Sequence, residues 1–93
     1  MGSSTITEAA LRNKLVAAFA PLRIEVVDES EQHRGHGGWR EGGGTHFRVL
    51  LRAARFDGMT RLARSRAVHA ALQDELAGGL HALALDLGGS EDA

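Results

Sequence analysis

The chain has no cysteine and no tyrosine, one proline, one tryptophan and three phenylalanines among 93 residues. Without cysteine, no disulphide can staple the fold, and no thiolate of its own can attack a substrate or bind a metal. Soft-metal chemistry would therefore have to use imidazole and take sulphur from a partner. No apolar run approaches the length needed to cross a bilayer. The start, Met1-Gly2-Ser3-Ser4-Thr5-Ile6, lacks the basic region and apolar core of a secretory signal, so a cytosolic location with no membrane association is expected. A chain this short makes one domain and buries only about 60–65% of its unfolded surface, which demands an economical core.

Glycine is abundant and charge is unevenly placed. Net charge is −1. Between Arg48 and Arg66, however, Arg48, Arg52, Arg55, Arg61, Arg64 and Arg66 stand against Asp57 alone. Such asymmetry marks either an anion-binding face or a solvated helix and strand edge, in which Arg64 and Arg66 could pair with Asp74 and Glu75.

Thr5-Ile6-Thr7-Glu8 fits a capping box, with Glu8 reaching back to the Thr5 amide. Leu11, Leu15, Ala18 and Phe19 follow at helical spacing, and Pro21 ends the helix. Leu22 to Val27 alternates, with Leu22, Ile24 and Val26 on one face. The stretch 28–44 has no apolar periodicity and contains six glycines, His33, His36 and Trp39, so it reads as a long loop. His46 to Arg52 alternates again, Phe47, Val49 and Leu51 inward and His46, Arg48 and Arg52 outward. Arg55-Phe56-Asp57-Gly58 is a turn. A helical pattern then runs from about Thr60 to Ala77, with Leu62, Val68, Leu72 and Leu76 inward and Gly78-Gly79 as its stop. Ser65 could cap a second segment and split it. Leu80 to Leu87 is the last strand, parallel to the second by the handedness rule for helical crossovers. The reading predicts a flexible N-terminus over 1–5, a domain over 6–87 and a frayed acidic tail over 88–93. Its order is α-β-β-α(α)-β: an α+β domain whose helices cover one face of a three-stranded mixed sheet.

No catalytic set emerges. Asp28, Glu29 and Ser30 are adjacent, but a strand end gives no reason for them to converge with a base. Gly35-His36-Gly37-Gly38 has the GxxG form of a nucleic-acid clamp, yet that form belongs between two helices and here lies between two strands. His81 alternates with Leu83, Leu85 and Leu87, which by itself reads as a hydrogen-bonded structural histidine on an apolar face. His33 and His36 read as solvated loop residues, His46 as a cross-strand surface contact, and His69 as helix surface or packing.

Several of these segments together resemble the BolA family. Val27-Asp28-Glu29-Ser30 with His33 is similar to the end of the family's first strand, and Thr45-His46-Phe47-Arg48-Val49 to its second. Arg55-Phe56-Asp57-Gly58 followed by Arg64, Arg66 and Val68 looks like the family's turn and helix signature, though Ser65 stands where members commonly carry histidine. Leu80-His81-Ala82-Leu83-Ala84-Leu85 is similar to its last strand. The resemblance, covering residues 11–87, implies a class II KH-like fold and no enzyme activity. It implies a [2Fe–2S] cluster shared with a monothiol glutaredoxin and glutathione, for cluster transfer, maturation or iron sensing, the chain alone being a monomer that holds no cofactor tightly. His81 and His33 become the implied iron ligands, with His36 and His46 as substitutes, because imidazole can replace cysteine on a cluster iron. The family's other activity, DNA-binding transcription regulation, would use Phe56, Gly58, Arg61, Arg64 and Arg66. A protein-interaction adaptor needing neither cluster nor DNA is the third reading.

Overall fold

In the computed structural model the described residues are 6–30 and 45–93. Helix α1 spans Glu8–Phe19, strand β1 Arg23–Asp28 and strand β2 His46–Arg52. A 3-10 turn at Ala54–Phe56 leads to helices α2, Arg61–Ala71, and α3, Gln73–Ala77, and then to strand β3, Ala82–Gly88. The sheet order is β1-β2-β3, antiparallel between β1 and β2 and parallel between β2 and β3, as the element order requires.

Local chemistry explains the element ends. The cap of α1 is Thr7, whose hydroxyl accepts the Ala10 N–H at 3.1 Å. The expected box between Thr5 and Glu8 lies outside the described residues; the Glu8 carboxylate accepts the Asp28 N–H at 2.7 Å and so ties the helix to β1. Ala20 adopts the left-handed conformation, φ 46°, and Pro21 prevents continuation. Thr60 caps α2 through the Ala63 N–H at 3.1 Å. The expected split of the long helix occurs at Leu72 rather than Ser65, which lies within α2. Leu72 is fully buried, so the core holds the chain at the joint.

The core gathers Leu11, Leu15 and Phe19 of α1, Phe47, Val49 and Leu51 of β2, and Phe56, Val68, Leu72 and Leu80. Two expected core residues are on the surface instead: Leu22 precedes β1 and Leu62 falls in the first turn of α2, each 59% exposed. The tail, for which composition predicts fraying, forms a 3-10 turn at Ser90–Asp92 and is anchored at several points. Ser90 donates its N–H and Oγ–H to Asp57 at 2.7 and 2.6 Å. The Arg52 Nε donates to the Asp92 carbonyl at 3.2 Å, and Gly89 N–H to the Asp92 carboxylate at 3.0 Å. Among the described residues, no helix is long and apolar enough to cross a membrane.

Candidate functional site

Residues 30 and 45 flank a long sequence excursion, and buried polar contacts join them. Ser30 Oγ donates to Asp28 Oδ1 at 2.5 Å and accepts the backbone N–H groups of Thr45 and His46 at 3.0 and 3.1 Å. Asp28 Oδ1 also accepts the Ser30 N–H at 2.9 Å. Ser30 and Thr45 are each 1% exposed. Leaving one such buried group unpaired would cost about 1–3 kcal/mol, so the clasp fixes the start of β2 firmly. Asp28 and Ser30 meet the backbone N–H of His46 here, as a structural knot. The His46 side chain engages Thr45, with Nδ1 at 2.9 Å from the threonine Oγ1.

The same end of the sheet holds His81. The Thr45 carbonyl accepts both the His81 N–H at 2.7 Å and the Ala82 N–H at 3.1 Å, which plants His81 beside the clasp. Its ring centre lies 5.2 Å from that of His46, with the planes tilted by 55°. His46 was expected to face solvent beside Arg48, yet it is only 5% exposed. His81 shows the opposite departure. It precedes β3 rather than lying within it and is exposed, because Leu80, 3% exposed, takes the core position and the strand's alternation starts only afterwards. A structural role on the apolar face is thereby excluded. A cavity of about 120 Å³, lined by Glu29, His46, Phe47, Ala82, Leu83 and Ala84, adjoins the pair.

No group of three or more histidine, aspartate and glutamate side chains that could hold a metal ion exists among the described residues. The imidazoles described at this end are those of His46 and His81, and a cluster iron would need sulphur from elsewhere. His33 and His36, expected as the loop ligand and its substitute, lie outside the described residues. His69 is remote in role: on α2 its Nδ1–H donates to the Ser65 carbonyl at 2.8 Å.

The basic segment is largely consumed by the fold. Arg48 pairs with Glu29 at 2.8 Å and Arg52 with Asp86 at 3.0 Å. Arg55 donates to the Ala18 carbonyl, and Arg64 Nε to that of Phe56 at 3.1 Å. Asp74 and Glu75 do not serve Arg64 or Arg66; Lys14 reaches both, at 3.6 and 2.9 Å. Phe56, offered as a nucleic-acid contact, is fully buried and packs its ring 5.0 Å from that of Phe19. Of the expected DNA-contacting set, Gly58, Arg61 and Arg66 are exposed.

What sequence reasoning missed was the clasp and the burial of His46. The available signal was Asp28-Glu29-Ser30, because an aspartate that bonds the N–H two residues on is the side-chain mimic of a backbone turn.

A family model described as BolA-like protein matches residues 15–91. BolA-like protein 1 of Bos taurus is 46% identical over 86 residues, 90% of this chain and 61% of that protein. The DNA-binding transcriptional regulator BolA of Escherichia coli (strain K12) is 43% identical over 75 residues, covering 81% and 68% of the two chains. Among solved structures, the BolA domain of SufE1 from Arabidopsis thaliana superposes with a TM-score of 0.83 at 35% identity, over 92% of this chain and 94% of that one.

Proposed function

The chain belongs to the BolA-like protein family, and on that premise we propose that it is an iron–sulphur accessory protein, forming a [2Fe–2S]-bridged heterodimer with a monothiol glutaredoxin. The cluster is cargo, held between the two proteins for transfer, maturation or iron sensing. The observation that carries the reading is the exposed imidazole of His81, set at the end of the sheet by two hydrogen bonds to one carbonyl, in a chain with no thiolate to offer. Glutaredoxin and glutathione would supply the sulphur donors. His81 is the anchoring ligand, because its backbone is fixed against Thr45. His33 is the second ligand on the family pattern, with its near neighbour in sequence, His36, as substitute. An imidazole ligand supplies one specific chemistry, a raised reduction potential relative to an all-thiolate cluster.

The test mixes the apo protein with cluster-loaded glutaredoxin and records the visible spectrum and the iron retained. The expected result is a heterodimer spectrum distinct from that of the glutaredoxin homodimer, and reversion to the glutaredoxin spectrum with His81→Ala. An unchanged heterodimer spectrum in the variant would overturn the ligand assignment.

One observation favours a second reading, DNA binding: Arg61 and Arg66 are exposed on α2, and the Escherichia coli relative is described as a DNA-binding transcriptional regulator. Two free arginines give phosphate contacts and little base readout, so binding by this route would weaken steeply with salt and discriminate poorly between sequences. Tight, sequence-selective binding at physiological salt would promote it above the cluster reading.

A further inference from the structure

Strand β1 lies at one side of the sheet, and among the described residues it pairs with β2 alone. The Glu29 N–H bonds across to the His46 carbonyl at 2.8 Å. Backbone groups alternate in direction along an antiparallel strand, so Arg23, Glu25 and Val27 also turn theirs to β2. Ile24, Val26 and Asp28 turn theirs to the outer edge. Glu8 already takes the Asp28 N–H there, which leaves the edge open, among the described residues, at Ile24 and Val26. Two clefts of about 590 and 580 Å³ run beside it and share Ile24 and, from α1, Arg12. Val16, 44% exposed, and Leu22, 59% exposed, line the second cleft. An open strand edge with apolar neighbours is a template for another strand.

We propose that this edge is occupied by a second copy of the chain, its β1 added antiparallel across a two-fold axis at Ile24. The inference goes beyond the cluster reading and departs from the monomer that the family resemblance implies. Charge selects the register. With Ile24 opposite Ile24 of the second copy, Arg23 faces Glu25 of that copy, and the symmetry repeats the pair. Within one strand Arg23 and Glu25 are already joined at 2.7 Å, so the contact extends that pair to four alternating charges. Exposed Leu22 then lies beside Val26 of the second copy. An axis at Glu25 would set two glutamates directly opposite each other, which destabilises a sheet. An axis at Val26 would need the Asp28 N–H that Glu8 holds. Pro21 has no N–H to offer and ends the pairing at Leu22. A contact confined to 22–26 is small, so the dimer is weak and concentration-dependent. His81 precedes β3, on the other side of β2, and stays clear of it.

Sedimentation velocity of the full-length chain over a concentration series reads the association, and amide hydrogen exchange locates it. The weight-average sedimentation coefficient is expected to rise with concentration. Over the same series the Ile24 and Val26 amides exchange more slowly, while the Asp28 amide, held within its own chain, keeps its rate. Arg23→Glu and Glu25→Arg are both at exposed positions, and each alone holds the chain at the monomer value. Mixing the two single variants, or combining both exchanges in one chain, restores the rise, because opposite charges face each other again. That recovery separates lost pairing from a lost fold. A coefficient that stays flat with concentration in the unaltered chain overturns the proposal. Association that persists in both single variants overturns it too, by placing the contact on another face, as does a loss that the double exchange fails to restore. Because glutaredoxin and cluster are absent throughout, such a failure leaves the cluster reading untouched, and failure of that reading leaves the dimer standing.

Discussion

The parallel pair β2 and β3 has two ends of different construction. Where the strands finish, Arg52 bridges to Asp86 and to the Asp92 carbonyl, Asp57 takes both donors of Ser90, and Gly89 bonds back to Asp92. Backbone approaches there are so close that a Cβ on Gly88 would meet Asp92 and Arg52 at 2.8 and 2.9 Å. Where the strands begin, the polar contacts are buried in the Ser30 clasp and end in two imidazoles, one of them in solvent. One end is lashed and the other exposes an imidazole. The difference teaches that the site can be changed at His81 with little cost to folding, whereas the far end carries stability.

The largest test of that division is Phe56→Ala. Phe56 is fully buried beside the lashed end, and its loss is expected to lower stability by about 3–5 kcal/mol, read from the urea midpoint. A loss under 1 kcal/mol would show that this end contributes less than its packing suggests. Gly88→Ala is next, with an expected loss of roughly 1–3 kcal/mol as the tail is pushed from its seat. Hydrogen exchange at Ser90 and Asp92 should rise in the same variant.

A pH titration sharpens the comparison further. The side-chain and backbone hydrogen bonds from Ser90, helped by the charge of Arg64, hold the Asp57 carboxyl below its usual value of 3.8, with partial desolvation opposing them. The ionised form is therefore favoured by folding. The latch contributes fully above the ordinary aspartate range and is lost as pH falls through the lower folded value. The Ser90 amide signal should titrate with a midpoint below 3.8, and Asp57→Asn should remove that titration while leaving the His46 and His81 signals unmoved.

The smallest effect is expected at the opposite end. His81→Ala should change the stability of the chain alone by no more than about 0.5 kcal/mol, while removing the histidine contribution to the proposed cluster. A loss near that of Phe56→Ala would abolish the distinction between the two ends.

Much of this was legible in the sequence for plain reasons. Period-two alternation located β1 and β2, and a helical stretch between strands set the parallel pairing of β2 and β3. The departures arise where tertiary contacts override a local pattern. Leu62 has helical spacing but lies one turn before α2 meets the core, and the joint at Leu72 carries no glycine or proline to announce it. His46 keeps the parity of an outward residue, so no periodicity could reveal its burial. The tail's small residues suggested fraying, yet Gly88 and Gly89 are small because side chains of other segments press on them. Family resemblance directed attention to His81 and offered His46 as a substitute; the geometry added that the two rings lie in contact.

The Ser30 clasp has a consequence for how this chain can vary. It joins the two ends of the stretch 31–44 by bonds that involve no residue within that stretch. Closing a loop between fixed ends grows costlier only with the logarithm of its length, about 0.6 kcal/mol for each doubling. A change of length between Ser30 and Thr45 therefore costs little in closure entropy while the clasp's own bonds are kept. The clasp separates what must stay constant from what is free to diversify, and it makes this excursion the natural place for relatives to acquire different partners on an unchanged sheet.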